Sequence, residues 1–308
     1  MTSGSKGRRL TPSMNRYRVR NLTATQKAWI RRQFIGPLAA GWSRIARLVG
    51  PVLPRALTIV DRPIFIVGCS RSGTTIVHDL FASHRHLSAW TEAPELLEPA
   101  YWRMSGSQYR SAESKNAEDY WRLRLAFGLL LRISGRPRLV NKHPENSLRI
   151  GWLHEIFPDC LVIHVIRDGR AVVRSSMAQR HRDRFRMADP LGFFPRPTGW
   201  EKLQAEPEHI RFALQWKEVI HTVRSDAGTF LNAKSYKEIR YEDFCDSPRS
   251  IIGELDRFAG LEPDPRDHVG IPLSLPSQND KWRSDLSDEE IRGLDEAIGA
   301  DLRELGCY

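Results

Sequence analysis

Apolar and polar positions fall into two textures along the chain. Over residues 24–48, Trp29, Ile30, Phe34, Leu38, Trp42, Ile45 and Leu48 recur at helical spacing, with Lys27, Arg31, Arg32, Arg44 and Arg47 among them. This pattern predicts an amphipathic basic helix, kinked at Pro37. From Pro63 onward, short apolar runs alternate with longer mixed segments. Ile64-Phe65-Ile66-Val67, ending in Gly68, predicts a buried strand, and a helix follows from Thr74 to His84. A strand over Arg138–Asn141 precedes a helix near Ser147–Ile156. The strongest apolar run, Leu161-Val162-Ile163-His164-Val165-Ile166, predicts another strand, followed by Arg167-Asp168-Gly169 and a helix from Arg170. A helix around His209–Arg224 leads to a strand near Tyr236–Tyr241, and two helices occupy much of the C-terminal part. Strands separated by helices predict an α/β domain of three layers, a central parallel sheet flanked by helices. Its ligand loops, at 68–73, 142–146 and 167–169, are expected to converge beyond the carboxyl ends of the strands.

Charge divides the chain in the same place. The 308 residues carry a net charge of +10. Residues 1–60 hold 12 of the 47 Lys and Arg and no acid, which leaves 35 bases against 37 acids in residues 61–308. The sequence therefore reads as a basic extension over 1–60 and a near-neutral domain over 61–308. No apolar run is long enough for a transmembrane helix, and the N-terminus lacks the apolar stretch of a secretory signal. Four scattered cysteines, Cys69, Cys160, Cys245 and Cys307, form no C-x-x-C pair. They argue against a zinc site or disulfide framework and suit a reducing, cytoplasmic setting.

The loop Gly68-Cys69-Ser70-Arg71-Ser72-Gly73-Thr74-Thr75 joins a strand to a helix. Its glycines permit a tight turn, and the amides at a helix start can cradle an anionic oxygen cluster. It has the G-x-x-x-x-G frame of a nucleotide P-loop, but Thr74 stands where the lysine of that motif belongs, and Arg71 lies within the loop. Such a loop suits a magnesium-dependent kinase or NTPase poorly. The simpler reading of the loop alone is a strand-to-helix turn with a hydroxyl cap.

A second element, Phe157-Pro158-Asp159, then the strand to Ile166, then Arg167-Asp168-Gly169-Arg170-Ala171 with Ser175 beyond, follows about ninety residues later. An arginine at a strand end and a serine two helical turns on can hold one compact dianion from two sides. Together the two elements resemble the P-loop-like sulfotransferases that use 3′-phosphoadenosine-5′-phosphosulfate (PAPS), and most closely the branch of protein-tyrosine sulfotransferases and bacterial relatives. The resemblance covers most of residues 61–285. It implies that Arg71, Ser72, Gly73, Thr74 and Thr75 hold the 5′-phosphosulfate, and that Arg167 and Ser175 hold the 3′-phosphate. Tyr241, in Arg240-Tyr241-Glu242-Asp243, is placed near the adenine. Ser277 and Lys281-Trp282 resemble the late segment that closes over the nucleotide.

The same resemblance assigns the chemistry to an in-line sulfuryl transfer without metal, leaving adenosine 3′,5′-bisphosphate (PAP). Arg71 and Lys142, the latter in Asn141-Lys142-His143-Pro144, are the cations for the transferring group and the bridging oxygen. Glu92 matches the catalytic glutamate of the tyrosine-sulfating branch and is the first candidate base; Glu95 competes with it. His143 is the alternative, although it follows Lys142 directly where small-molecule sulfotransferases have a K-x-H pattern. Without the resemblance, Glu92 reads as a helix-start carboxylate and Lys142 as a solvated strand-end lysine.

The acceptor is a hydroxyl-bearing molecule whose class stays open between tyrosine peptide, carbohydrate, lipid and small phenol. Tyr101, Trp102, Tyr109, Tyr120 and Trp121, and the stretch Met187–Trp200, are expected either to roof the site or to serve as packing residues. For the basic segment the sequence allows peripheral attachment to an anionic membrane through residues 24–48, or packing on its own domain or on a second copy in a homodimer. No nucleic-acid recognition motif accompanies the charge. Two further functional classes remain as rivals: a P-loop kinase or NTPase, and a noncatalytic membrane-associated nucleotide-binding module.

Overall fold

Five short strands, β1 (Ile64–Val67), β2 (Leu87–Thr91), β3 (Arg138–Lys142), β4 (Leu161–Ile166) and β5 (Tyr236–Arg240), form one sheet in the order β2-β3-β1-β4-β5. All neighbours run parallel. The computed structural model describes residues 36–92, 94–99, 106–182, 194–262, 264, 266–267 and 269–307. Every residue of β1 and β4 is buried, as their unbroken apolar sequences require of central strands covered on both faces.

The helices, in chain order, are α1 (Gly36–Val49), α2 (Thr74–Phe81), α3 (Pro94–Leu97), α4 (Ala117–Ser134), α5 (Ile150–Ile156), α6 (Gly169–Arg182), α7 (Glu208–Phe230), α8 (Tyr241–Asp246), α9 (Pro248–Ala259), α10 (Trp282–Asp285) and α11 (Asp288–Glu304). Alternation along the strands divides the core. Ile64 and Ile66 of β1, with Leu161, Ile163 and Val165 of β4, face Val77, Phe81, Phe244 and Leu255 of α2, α8 and α9. Phe65, Val67 and Val162 point the other way, onto Leu123 and Phe127 of α4 and Trp152 of α5. A further cluster joins α6, α7 and α11 around Val172, Trp216 and Ile298. The expected three-layer α/β architecture is the one observed.

Several elements differ from the sequence expectation. The edge strand β2 was not foreseen, because Leu-Ser-Ala-Trp-Thr buries only its first two residues fully and alternates weakly. Helix α4, whose Asn116 side chain accepts from the Asp119 amide as an N-cap, lies in a stretch read only as a source of site aromatics. The segment expected to start a helix at Ser147 runs as a 3-10 turn over Pro144–Leu148, and α5 begins at Ile150. Of the basic helix expected over 24–48, the described part is α1. It packs on α4: Ser43, Ala46 and Gly50 are buried, Arg122 Nη1 donates to Ser43 Oγ at 3.3 Å, and Gly50 lies so close to the Trp121 ring that a Cβ would sit 2.5 Å from it. Residues 1–35 lie outside the described part.

Candidate active site

Strand register lines up the chemistry. Ile66 of β1 pairs with Lys142 of β3, which pairs in turn with Thr91 of β2. Glu92, the next residue, donates its backbone N–H to the Lys142 carbonyl at 3.0 Å. Lys142 and Glu92 thus stand side by side at the carboxyl edge, one strand from the start of the loop after β1. The Lys142 ammonium donates to Glu92 Oε1. The lysine is 2% exposed and the glutamate 55%, so a buried cation reaches solvent through a carboxylate. Glu92 adopts a left-handed backbone, φ 46°, which costs a non-glycine residue about 1–2 kcal/mol.

The loop 68–73 is held from below. Ser147 Oγ accepts from the Gly68 N–H at 2.9 Å and donates to the Gly68 carbonyl at 3.1 Å. Gly73 has φ 91° and lies against Tyr241, where a Cβ would come within 2.2 Å of Cδ2. Only glycine fits both the conformation and the space. Helix α2 starts at Thr74 with no side-chain cap, so its first amides face the loop without an intrahelical partner. Thr74 is buried and Thr75 exposed. Ser72 is also buried, and its hydroxyl has no hydrogen-bond partner among the described residues.

Arg167 ties the two motifs together. Its guanidinium donates to the Arg71 carbonyl at 3.0 Å, to Asn279 Oδ1 at 3.1 Å and to the Gln278 carbonyl at 3.1 Å, and it stacks 4.3 Å from the Tyr241 ring centre. Burial pushes its pKa down, with the surrounding Tyr241 and Glu242 opposing; a guanidinium nonetheless keeps its proton. Burial, reinforced by a hydrogen bond with Cys245, pushes the Tyr241 phenol up to about 12. Arg71, with φ 75°, sends Nε to Ser175 Oγ at 3.1 Å. Arg71, Arg167 and Ser175 therefore meet on one side of the loop, and Lys142 with Glu92 on the other.

The remaining sequence candidates sort as follows. His143 is buried with its Nε2 2.9 Å from Glu145 Oε2. The Glu95 side chain lies outside the described part. Ser277 and Lys281 are exposed; Ser277 Oγ accepts from the Asn279 amide at 3.1 Å. Their segment reaches Arg167 through Gln278 and Asn279, which sequence reasoning did not single out. Tyr241 serves as a brace between Gly73 and Arg167. Among the expected roof aromatics, Tyr120 packs toward the core and edge-on to Trp121, and Trp121 covers Gly50. Trp200 is buried in the core beyond α7, and Tyr109 donates to Asp226 at 3.5 Å. The packing reading holds for Tyr120, Trp121 and Trp200, while Tyr101, Trp102 and residues 187–193 lie outside the described part. Ser147 and Asn146 were missed; Asn146 Nδ2 donates to Asn141 Oδ1 at 2.8 Å and Asn141 Nδ2 to the Trp90 carbonyl at 2.8 Å, fixing β2 to the Lys142 end of β3. The sequence signal was the cluster of short polar residues in Asn141–Ser147.

Comparison with known proteins gives one direction. The profile of the Sulfotransferase family matches residues 63–265. Over 130 residues the chain is 31% identical to protein-tyrosine sulfotransferase 1 of Danio rerio, a stretch covering 39% of this chain and 37% of that protein. It is 29% identical over 129 residues to protein-tyrosine sulfotransferase A of Caenorhabditis elegans, covering 38% and 33%. The matched stretches span well under half of either relative. Among solved structures, sulfotransferase STF9 from Mycobacterium avium aligns with a TM-score of 0.53 at 12% identity, over 90% of this chain and 80% of that one. The sulfotransferase domain from the curacin biosynthetic pathway aligns at 0.50 and 17% identity, over 78% and 98%. At such identities the likeness is one of fold. The family profile spans well over half of the chain and includes both motifs of the carboxyl edge, and so the chain belongs to the sulfotransferase family of enzymes.

Proposed function

We propose that this protein transfers the sulfuryl group of PAPS to an acceptor hydroxyl, with Glu92 as general base. The observation that carries the reading is the meeting of Arg71, Arg167 and Ser175 beside a P-loop-like turn that has Thr74 in the lysine position. A nucleotide with an anionic group at each end of its ribose phosphate suits two adjacent basic clusters; an ATP–magnesium complex does not need the second.

The residues present fit such a donor. The Ser72 hydroxyl, without a partner among the described residues, and the uncapped start of α2 offer donors to a phosphosulfate. Arg167 and Ser175 offer a guanidinium and a hydroxyl to the 3′-phosphate. The donor supplies the sulfuryl group. In the transfer, the sulfur–oxygen bond to the 5′-phosphate breaks, a sulfur–oxygen bond to the acceptor forms, and PAP departs with the bridging oxygen. Glu92 Oε1 takes the acceptor proton. Lys142, released from Glu92 as that proton arrives, neutralises charge on the bridging oxygen, while Arg71, whose Nε donates to Ser175, lies with the pair that would hold the 3′-phosphate. His143, turned to a buried carboxylate, is less well placed for the proton than the half-exposed Glu92.

Titration calorimetry with PAP, against ATP plus magnesium, tests the donor. Tighter binding of PAP is expected; preference for ATP with magnesium would overturn the reading in favour of a kinase or NTPase. Transfer from labelled PAPS onto extracts, followed by mass identification of the product, then names the acceptor. Donor binding with no transfer to any acceptor would support a noncatalytic module instead.

A further inference from the structure

The outward face of α1 is apolar and belongs to the most basic part of the chain. Leu38 and Leu48 are 71% and 76% exposed and Ile45 is also exposed, and Val52, in the 3-10 turn Gly50–Val52 that follows the helix, is 81% exposed. The spacing of Leu38, Ile45 and Leu48 puts them on one stripe of α1, opposite the buried Ser43 and Ala46, and Val52 continues the exposed apolar surface just beyond the helix. Gly41 falls within the same stripe, and a Cβ built there would meet nothing within 4 Å. Arg44, Arg47 and Arg55 are exposed beside it, Arg47 lying 3.7 Å from Glu118 Oε1 of α4. The helix is not free to turn this stripe inward. Arg122 grips it through Ser43, and the same guanidinium donates to the Leu96 carbonyl at 2.7 Å, the Leu97 carbonyl at 3.0 Å and Asp119 Oδ1 at 2.7 Å.

We propose that this face of α1 docks on an anionic lipid bilayer. Apolar side chains flanked by arginines are the chemistry of a helix lying in the headgroup region, where aliphatic side chains enter the acyl boundary and guanidinium groups remain at the phosphates. No described helix is long and apolar enough to cross a membrane, so the contact is one of surface. Charge favours lipid over a second copy of the chain. A two-fold dimer through this stripe would bring the arginines of both copies together, in a segment that itself holds 12 bases and no acid; Glu118 of α4 offsets Arg47 but not Arg44 or Arg55. The stripe also sits on the body that carries the site: Arg122 joins α1 to α3, which begins two residues after Glu92.

The test uses the full-length chain in flotation with vesicles of phosphatidylcholine alone and of phosphatidylcholine with phosphatidylglycerol. Binding to the anionic vesicles only, weakened by salt, is expected. The pair Leu48→Glu and Val52→Glu, both exposed and so without effect on the melting temperature, is expected to lower the partition by at least about tenfold. Gly41→Leu, which fills the gap in the stripe between Leu38 and Ile45, is expected to raise it. Absence of binding to anionic vesicles overturns the proposal. So does equal recovery of the glutamate pair, since attachment would then reside in charge elsewhere. So does a dimer in sedimentation that the glutamate pair dissociates while leaving flotation unchanged.

Discussion

Arg167 donates Nη1 to the carbonyl of Arg71 at 3.0 Å, so the arginine that follows β4 holds the backbone of the loop that follows β1. A lysine at 167 retains the charge but cannot serve the Arg71 carbonyl, Gln278 and Asn279 from one planar fork. Arg167→Lys is therefore expected to weaken PAP binding by about tenfold to hundredfold in calorimetry. Unchanged affinity in a folded Arg167→Lys variant would remove Arg167 from the proposed 3′-phosphate site.

Glu92→Gln keeps the shape of the side chain and removes its basicity. The expected result is a kcat lower by about a hundredfold or more, with PAP affinity nearly unchanged. His143→Ala instead leaves Glu145 buried without the imidazole it faces, and its main effect is expected in the melting temperature. If the glutamine variant turns over normally while a folded His143→Ala does not, His143 is the base.

Gly73→Ala would meet both a left-handed φ of 91° and the Tyr241 ring. A loss of about 2–5 kcal/mol in denaturant unfolding is expected. Adding Tyr241→Ala should return the part due to the collision and leave the part due to the backbone. A double variant no more stable than the sum of the two single losses would show that the ring is not the obstacle.

Acid should destabilise the protein through the β4–β5 pair. Glu238 Oε1 accepts from Tyr236 at 2.6 Å and from Arg224 at 2.9 Å, with Arg224 also reaching Oε2 at 3.0 Å; His164 Nδ1 lies 2.8 Å from the Tyr236 hydroxyl. Burial alone would raise the Glu238 carboxyl, but the hydrogen bonds from His164, Arg224 and Tyr236 outweigh it and hold it well below the usual carboxylate range. Burial pushes the His164 imidazole down, and Glu238 opposes this only in part. Both groups bind protons more weakly folded than unfolded. Their stabilisation is thus complete above about pH 6.5, erodes below it as unfolded histidine protonates, and falls further below about pH 4.5 as unfolded glutamate does. Glu238→Gln should flatten the lower part of the melting-temperature profile. An identical slope in the variant would assign acid sensitivity to other groups.

Legibility in the sequence followed the physics of each element. β1 and β4 are buried on both faces, so their apolar runs and terminal glycines announced them, and with them the loop 68–73 and Arg167. β2 is an edge strand whose Ala89 and Thr91 face solvent, and its composition resembles a loop. α4 buries Asp119 and Arg122 as well as leucines, so its polar residues masked a core-facing helix. The pairing of Lys142 with Glu92 follows from the β2–β3 register, which cannot be read before β2 is known. The Ser147 bridge to Gly68 joins positions far apart in sequence and distinguishable only once β1 and β3 are adjacent.

The left-handed backbone at Arg71 sets two demands on that position against each other. Glycine or asparagine there would relax the turn by about 1 kcal/mol, while the exposed guanidinium would give up its hydrogen bond to Ser175. Selection for thermal tolerance alone would therefore drift toward an arginine-free loop. A homologue with Gly at this position would be the sturdier fold and, on the proposed chemistry, the poorer transferase.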